Sequence, residues 1–373
     1  MRIVIDGRMY RQSGIGRYVR NLINQLIKLD ENNEYFILFL KDEYDSLVYH
    51  TEGFHKVLAN VKWYGIGEQL ELPKILIRLK PDLVHFPHFN VPILYKGKFI
   101  VTIHDLIHQH FNMERSTTHG PIMYKLKQFG YKKVFLNAVK NSKKILVPSS
   151  FVKEQLIKEW KVAKEKIIIT HEAVDDKILS IVSKMNNEKS KELIKKFNVK
   201  CPYLFYVGNA HPHKNVEGLI KTFLKLKEKH KDLNLVLSGN DHFFWKKIKI
   251  ENQHEGIIYT GAITDKELVA LYKNAKMFVM PSFEEGFGIP ILEAMKCFCP
   301  VVSSNDGSLP EVGGDAAIYF DPYNKEDIVN KISEVLNDES LRKALISRGV
   351  RRTKLFSWQK LSRQTLEVYE KCV

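Results

Sequence analysis

The sequence predicts an α/β protein of two domains, each a parallel sheet with helices on both faces. Three observations carry this. Short apolar runs that read as strands alternate with stretches of helical spacing. A strand, a glycine-bearing loop and a helix follow one another near the start of the chain, again from residue 203 and again from residue 277. The length of 373 residues is long for one hydrophobic core and natural for two.

Composition narrows the class. Apolar residues make up 44% of the chain, which is ordinary for a globular protein. No apolar run approaches the ~20 residues that span a bilayer. The opening MRIVIDG reads as a strand rather than a signal peptide, because it lacks a long apolar core and a cleavage site. The four cysteines, Cys201, Cys297, Cys299 and Cys372, show no C-x-x-C spacing, so reduced thiols in a cytoplasmic protein are expected. A net charge of +15 calls for acidic partners: a nucleotide, a nucleic acid or an anionic membrane. Charge does not choose among them.

The first strand is residues 3–5, and residues 6–13 form a polar loop. Gly14, Ile15, Gly16, Arg17 and Tyr18 then open a helix with apolar Val19, Leu22, Ile23, Leu26 and Ile27. The dinucleotide fingerprint fails, because Val19 stands at the third glycine position. The loop at Gly16 is either an anion or acceptor contact or a simple tight turn. Further strands are expected at residues 35–40, 83–86, 99–103 and 144–147. Ligands in such sheets bind beyond the carboxyl ends of strands, which singles out His104 and Asp105 at one end and His85 and His88 at another. His104, His108 and His110 do not make a convincing metal site. Only the first pair has helical spacing, and the chain contains no D-x-D pair. Residues 116–153 hold eight lysines, no Asp or Glu, and interleaved apolar residues from Ile122 to Ala138. That is either a surface for anionic lipid or a solvated face on a core helix.

Residues 175–200 are lysine-rich and weakly patterned, and the domain boundary belongs at their start. The first domain is then residues 1–175 plus 356–373, and the second residues 176–355. Residues 203–207 are a strand, 208–215 a loop, and Val216 begins a helix. Lys214 at that helix start is placed to meet a phosphate. Strands follow at 234–237, 257–260 and 301–302, and a last helix follows a Ser357 cap. Between the strand at 277–280 and the helix opened by Pro290 lies Glu284-Glu285-Gly286-Phe287-Gly288. A helix start offers backbone N–H groups to an anion, and carboxylates can grip sugar hydroxyls. If every step from Glu285 to Glu293 were helical, the two would lie ~12 Å apart along the axis.

The string EEGFGIPILEAM resembles the E-x7-E signature of retaining glycosyltransferases of family 4. GNAHPHKN, HFPHFN, HDLIH and GIGRY are similar to further family strings, so the resemblance covers nearly the whole chain. It implies the GT-B fold, two Rossmann-like domains facing across a cleft, with the last helix crossing back to the N-terminal domain. It implies transfer of a hexose from a nucleoside diphosphate sugar to a glycan or lipid-linked glycan, without cofactor or metal. His104 and Glu285 would act at the transferred sugar, and Glu293 would hold the ribose. Gly16, Asn209, His213, Lys214, Gly286, Phe287 and Gly288 would complete the donor site. Members often carry Arg where Asn209 stands, and His213 is expected to supply part of the missing charge. The strings most resemble mannosyltransferases of bacterial polysaccharide assembly, which implies GDP-mannose. A peripheral contact with anionic membrane fits a lipid-linked acceptor; nucleic acid is not expected as a partner. The rivals are another donor such as UDP-glucose, a nucleotide-sugar 2-epimerase of the same fold, and a basic nucleic-acid-binding protein.

Overall fold

The computed structural model describes the chain except for residues 13, 49–50, 112–120 and 240–242, and the side chains of residues 121–127. Ile122 and Leu126 of the lysine-rich segment therefore lie outside the described side chains. The chain divides into two compact units. The first holds Met1–Leu106, the helix that ends at Asn141 and the chain on to Glu172, and Ser357–Val373. The second holds Ala173–Phe356 and the short helix Ile107–His110.

The first unit is built on seven parallel strands: β1 (Arg2–Asp6), β2 (Glu34–Phe39), β3 (Phe54–Leu58), β4 (Leu83–Phe86), β5 (Phe99–Thr102), β6 (Ile145–Val147) and β7 (Ile167–Ile169), in the order β3-β2-β1-β4-β5-β6-β7. The second carries six: β8 (Tyr203–Val207), β9 (Asn234–Ser238), β10 (Ile257–Gly261), β11 (Met277–Met280), β12 (Val301–Ser304) and β13 (Ala317–Phe320), in the order β10-β9-β8-β11-β12-β13. All pairings are parallel, and the central strands are apolar and buried on both faces. In each sheet the order in which strands are added reverses once, between β1 and β4 and between β8 and β11. Such switch points open a crevice beyond the carboxyl ends of the strands.

Three strands lie outside the sequence expectation: β3, β7 and β13. All are edge strands of three to five residues, and a short edge strand gives little period or apolar length to read. Residues 175–200 are also better ordered than expected. They form helices Asp176–Lys184 and Asn187–Lys195, capped by the side chains of Asp175 and Asn186. Ile178, Met185 and Ile194 sink into the second core, so few apolar residues sufficed to dock both helices.

The last helix, Trp358–Cys372, starts at a Ser357 cap as expected and packs on the helix Gly14–Leu29 in the first unit. Its Tyr369 hydroxyl lies 2.7 Å from His85 Nδ1, and His85 Nε2 lies 2.8 Å from Thr102 Oγ1. His85 is thus not a ligand-facing residue at a strand end. It sits inside β4, fully buried, and burial pushes its pKa down to about 3. No helix among the described residues is long and apolar enough to cross a membrane.

Candidate active site

Because β8 and β11 are neighbours, the loops that leave them emerge side by side at the switch point of the second unit. The β8 loop runs through a 3₁₀ turn, Pro212–Lys214, to Asn215, which adopts the left-handed conformation and precedes the helix Val216–Lys229. The Asn215 amide group donates to the carbonyls of Pro281, at 3.1 Å, and Pro322, at 3.4 Å. This ties the Lys214 turn to the loop after β11. Phe283 N–H donates to the His213 carbonyl at 2.7 Å and closes the same seam.

Lys214 and Glu285 meet there. The ammonium lies 2.7 Å from each oxygen of the carboxylate, and Ser282 Oγ donates to Oε1 at 2.6 Å. The Lys214 and Glu285 side chains are 17% and 8% exposed, so solvent screens the pair weakly. The sequence put both residues in the site but did not show that they touch. Lys214 stands before the helix, at the end of the 3₁₀ turn, rather than in the first helical turn.

Glu285 is braced from below. Ser308 Oγ lies 2.9 Å from the carbonyl oxygens of both Glu285 and Phe287, with one hydrogen to share. Gly307, at φ +63°, lets the 305–309 loop press on this turn: a Cβ there would stand 2.9 Å from Glu285 N. Gly288, at φ +96°, forms the N-terminal boundary of the helix Ile289–Lys296. A Cβ on it would meet Leu309 at 2.6 Å. Phe287 is buried edge-on against Phe356 at 5.7 Å. Sequence reasoning assigned Ser282, Gly307 and Ser308 no role in the site; the Gly-Ser pair shortly after β12 was the available signal.

The helix begins at Ile289, and Pro290 takes its second position, so only half of the eight steps from Glu285 to Glu293 are helical. The ~12 Å axial separation for an unbroken helix therefore does not apply. Glu293 is buried, with the Tyr272 hydroxyl 3.3 Å from its Oε2. Burial, and next the Glu293 charge, hold the Cys297 thiol well above its usual pKa.

Asn209 is exposed, and its carbonyl accepts from Tyr206 Oη at 2.6 Å. His213 does not supply the charge expected of it. It is buried, and burial, followed by the neighbouring Lys214, His211 and His108, pushes its pKa down to about 2. It is neutral at pH 7. Positive charge in this seam therefore rests on Lys214.

The first unit places His104 beyond the end of β5. Its Nδ1 lies 2.9 Å from Glu172 Oε1 and its Nε2 3.0 Å from the Pro87 carbonyl. Both partners only accept, so satisfying both requires an imidazolium. Burial pulls the pKa down, but Glu172, the Pro87 carbonyl and Asp105 outweigh it and the net shift is upward. A sugar contact from a ring nitrogen would displace one of these bonds. Glu172 had not been singled out, although it stands shortly after β7 at a carboxyl end. Gly16 lies in the first turn of its helix, where a Cβ would be 2.4 Å from the Tyr10 carbonyl. Close backbone approach alone accounts for that glycine. The β1/β4 crevice is lined by Asp6, Arg8, His88 and Asn90. Beneath it Arg8 donates to both Asp6 oxygens at 2.8 and 2.6 Å and to Glu68 at 2.7 Å.

His110 Nδ1 lies within 2.9 Å of both oxygens of Glu284. No three His, Cys, Asp or Glu among the described residues are grouped as a metal would need. A cavity of about 710 Å³ in the second unit is lined by His211, Pro212 and Asn215 but not by Lys214, Glu285 or Glu293. The charged pair and the glycine turn converge instead at the switch point between β8 and β11.

Residues 12–177 match the family described as Glycosyltransferase Family 4, and residues 186–352 match Glycosyl transferases group 1. The O-antigen chain mannosyltransferase B of Escherichia coli is 31% identical over 297 residues, covering 78% of this chain and 74% of that one. The serotype-specific mannosyltransferase WbdA of Escherichia coli is 26% identical over 297 residues, covering 76% of this chain but only 34% of that longer protein. Among solved structures, Anabaena HepE in complex with UDP and glucose matches with a TM-score of 0.72 at 15% identity over 100% of both chains, a likeness of fold.

Proposed function

The chain belongs to glycosyltransferase family 4, and from that premise we propose that it transfers mannose from GDP-mannose to a hydroxyl of a glycan, free or lipid-linked, with retention and without a metal. The observation that carries this reading is the Lys214 ammonium seated against both oxygens of Glu285 beside a glycine turn at a switch point. An ammonium has three N–H donors. With Glu285 taking two, one remains for the phosphate of a donor. The 286–288 turn and the helix start at Ile289 add backbone donors and the positive end of a dipole. These groups meet the charge that develops as the bond between the anomeric carbon and the diphosphate oxygen breaks. The acceptor oxygen bonds to that carbon on the same face, and its proton passes to the departing phosphate. Glu285, positioned by Lys214 and Ser282, would take hydrogen bonds from the sugar hydroxyls, and Glu293 from the ribose.

The names of the two Escherichia coli relatives support mannose, and the UDP and glucose of the HepE structure make UDP-glucose the donor to test against it. A lipid-linked acceptor would hold the enzyme at an anionic membrane, a contact that the positive charge of the lysine-rich stretch would favour. The test is a thermal-shift panel of nucleotide sugars, followed by turnover with acceptor in the presence of EDTA and NMR of the product anomer. GDP-mannose is expected to raise the melting point most and to give an α-linked product with EDTA present. No shift with any nucleotide sugar, or an epimer formed from donor alone, overturns the reading.

A further inference from the structure

We propose that the cavity of the second unit lined by Val216, Phe243, Phe244 and Tyr323 is a separate saccharide site that holds a short pyranose segment of the acceptor glycan. This inference rests on the transferase reading for its ligand, but not for its site. The cavity encloses about 710 Å³, within the range of small-molecule sites. Its floor is apolar: Val216, Phe244, Ile248 and Ile328 are all buried.

Two aromatic rings line it while remaining open to solvent, Phe243 at 60% exposure and Tyr323 at 70%. Tyr323 is backed by Phe283, ring on ring at 4.9 Å and 21°, which holds its plane as a platform. The apolar C–H face of a pyranose packs on such a ring. Charges of both signs share the wall: Glu217, Lys221 and Lys325 make no ion pair among the described residues. A site for anions alone would gain nothing from Glu217. A polyol uses both signs, since a carboxylate accepts from hydroxyls and an ammonium donates to them.

The cavity also shares its wall with the donor loops. Asn215, which lines it, is bonded to Pro281 and Pro322, and Phe283 is bonded through its amide to His213. A glycan held here would rest against the turns that carry Lys214 and Glu285.

The test is saturation-transfer NMR of the whole protein with α-mannotriose, maltotriose and chitotriose, each with and without saturating GDP or UDP. At least one trisaccharide is expected to receive saturation at its ring C–H protons and to keep it when nucleotide is present. Tyr323→Ala and Phe243→Ala are each expected to weaken that binding at least fivefold while leaving the nucleotide-sugar thermal shift as in the wild type. Three outcomes overturn the proposal: no transfer to any trisaccharide, transfer abolished by nucleotide, or affinity unchanged in both variants. Co-sedimentation with phosphatidylglycerol vesicles that is lost in the same variants would instead assign the cavity to lipid. A missing nucleotide-sugar shift in the wild type would fault the transferase reading alone.

Discussion

Lys214 and Glu285 sit where neither charge is well solvated alone, so the two cannot be removed independently. Lys214→Ala is expected to cost about 3 kcal/mol in urea unfolding and to weaken nucleoside diphosphate binding. Adding Glu285→Ala should recover part of the stability but none of the binding. Glu293→Ala should also weaken binding; unchanged affinity in a folded variant would refute its placement at the ribose. The histidines set the pH response. His85 and His213 have folded pKa values near 3 and 2, below the ~6.5 of an unfolded chain. Their contribution is present above about pH 6.5 and is lost as pH falls through the window down to those folded values. His104 is shifted upward, so its contribution is full below ~6.5 and fades as pH rises through its folded pKa. Melting curves from pH 7.5 to pH 5 should show a fall in stability that is shallower in His85→Gln; an identical slope would remove His85 from the account.

The elements turn on a few left-handed backbone positions. Gly307→Ala would drive a methyl to 2.9 Å from Glu285 N at a positive φ, displacing the turn that carries the carboxylate. The variant should keep its circular dichroism spectrum and lose most of its donor affinity, which isothermal titration would read. Phe298 is the opposite case. There a bulky residue sits at φ +61°, 51% exposed. Phe298→Gly removes the steric cost and should stabilise the protein by about 1 kcal/mol without touching activity. These strand–loop–helix segments were largely legible in advance, because buried strands and glycine turns are written in consecutive residues. The braces at Ser282 and Ser308 were not, because a hydroxyl gains its partner only when distant loops meet.

At the scale of the whole molecule, the last helix belongs to the first unit although it follows the second in sequence. It buries Trp358, Leu361, Val368 and Tyr369, and Tyr369 completes the polar chain through His85 to Thr102. Burial of four such side chains contributes on the order of 8 kcal/mol, comparable to the whole stability of a domain. A chain ended at Phe356 should therefore lose hydrogen-exchange protection in β1, β4 and β5 while β8 and β11 keep theirs. Uniform protection in both sheets would contradict this.

The sequence by itself determined the class, the two-domain plan, the central strands and the identity of the glycine turn with its two glutamates. All of these depend on short-range periodicity and on residue types a few positions apart. Only the tertiary structure decided the order of strands, and hence which loops meet at a switch point. It alone paired Lys214 with Glu285, neutralised His213 by burial, tied both nitrogens of His104 to acceptors and sank His85 beneath the last helix. Each of those depends on desolvation or on a partner 17 to 284 residues away, which chain order does not carry.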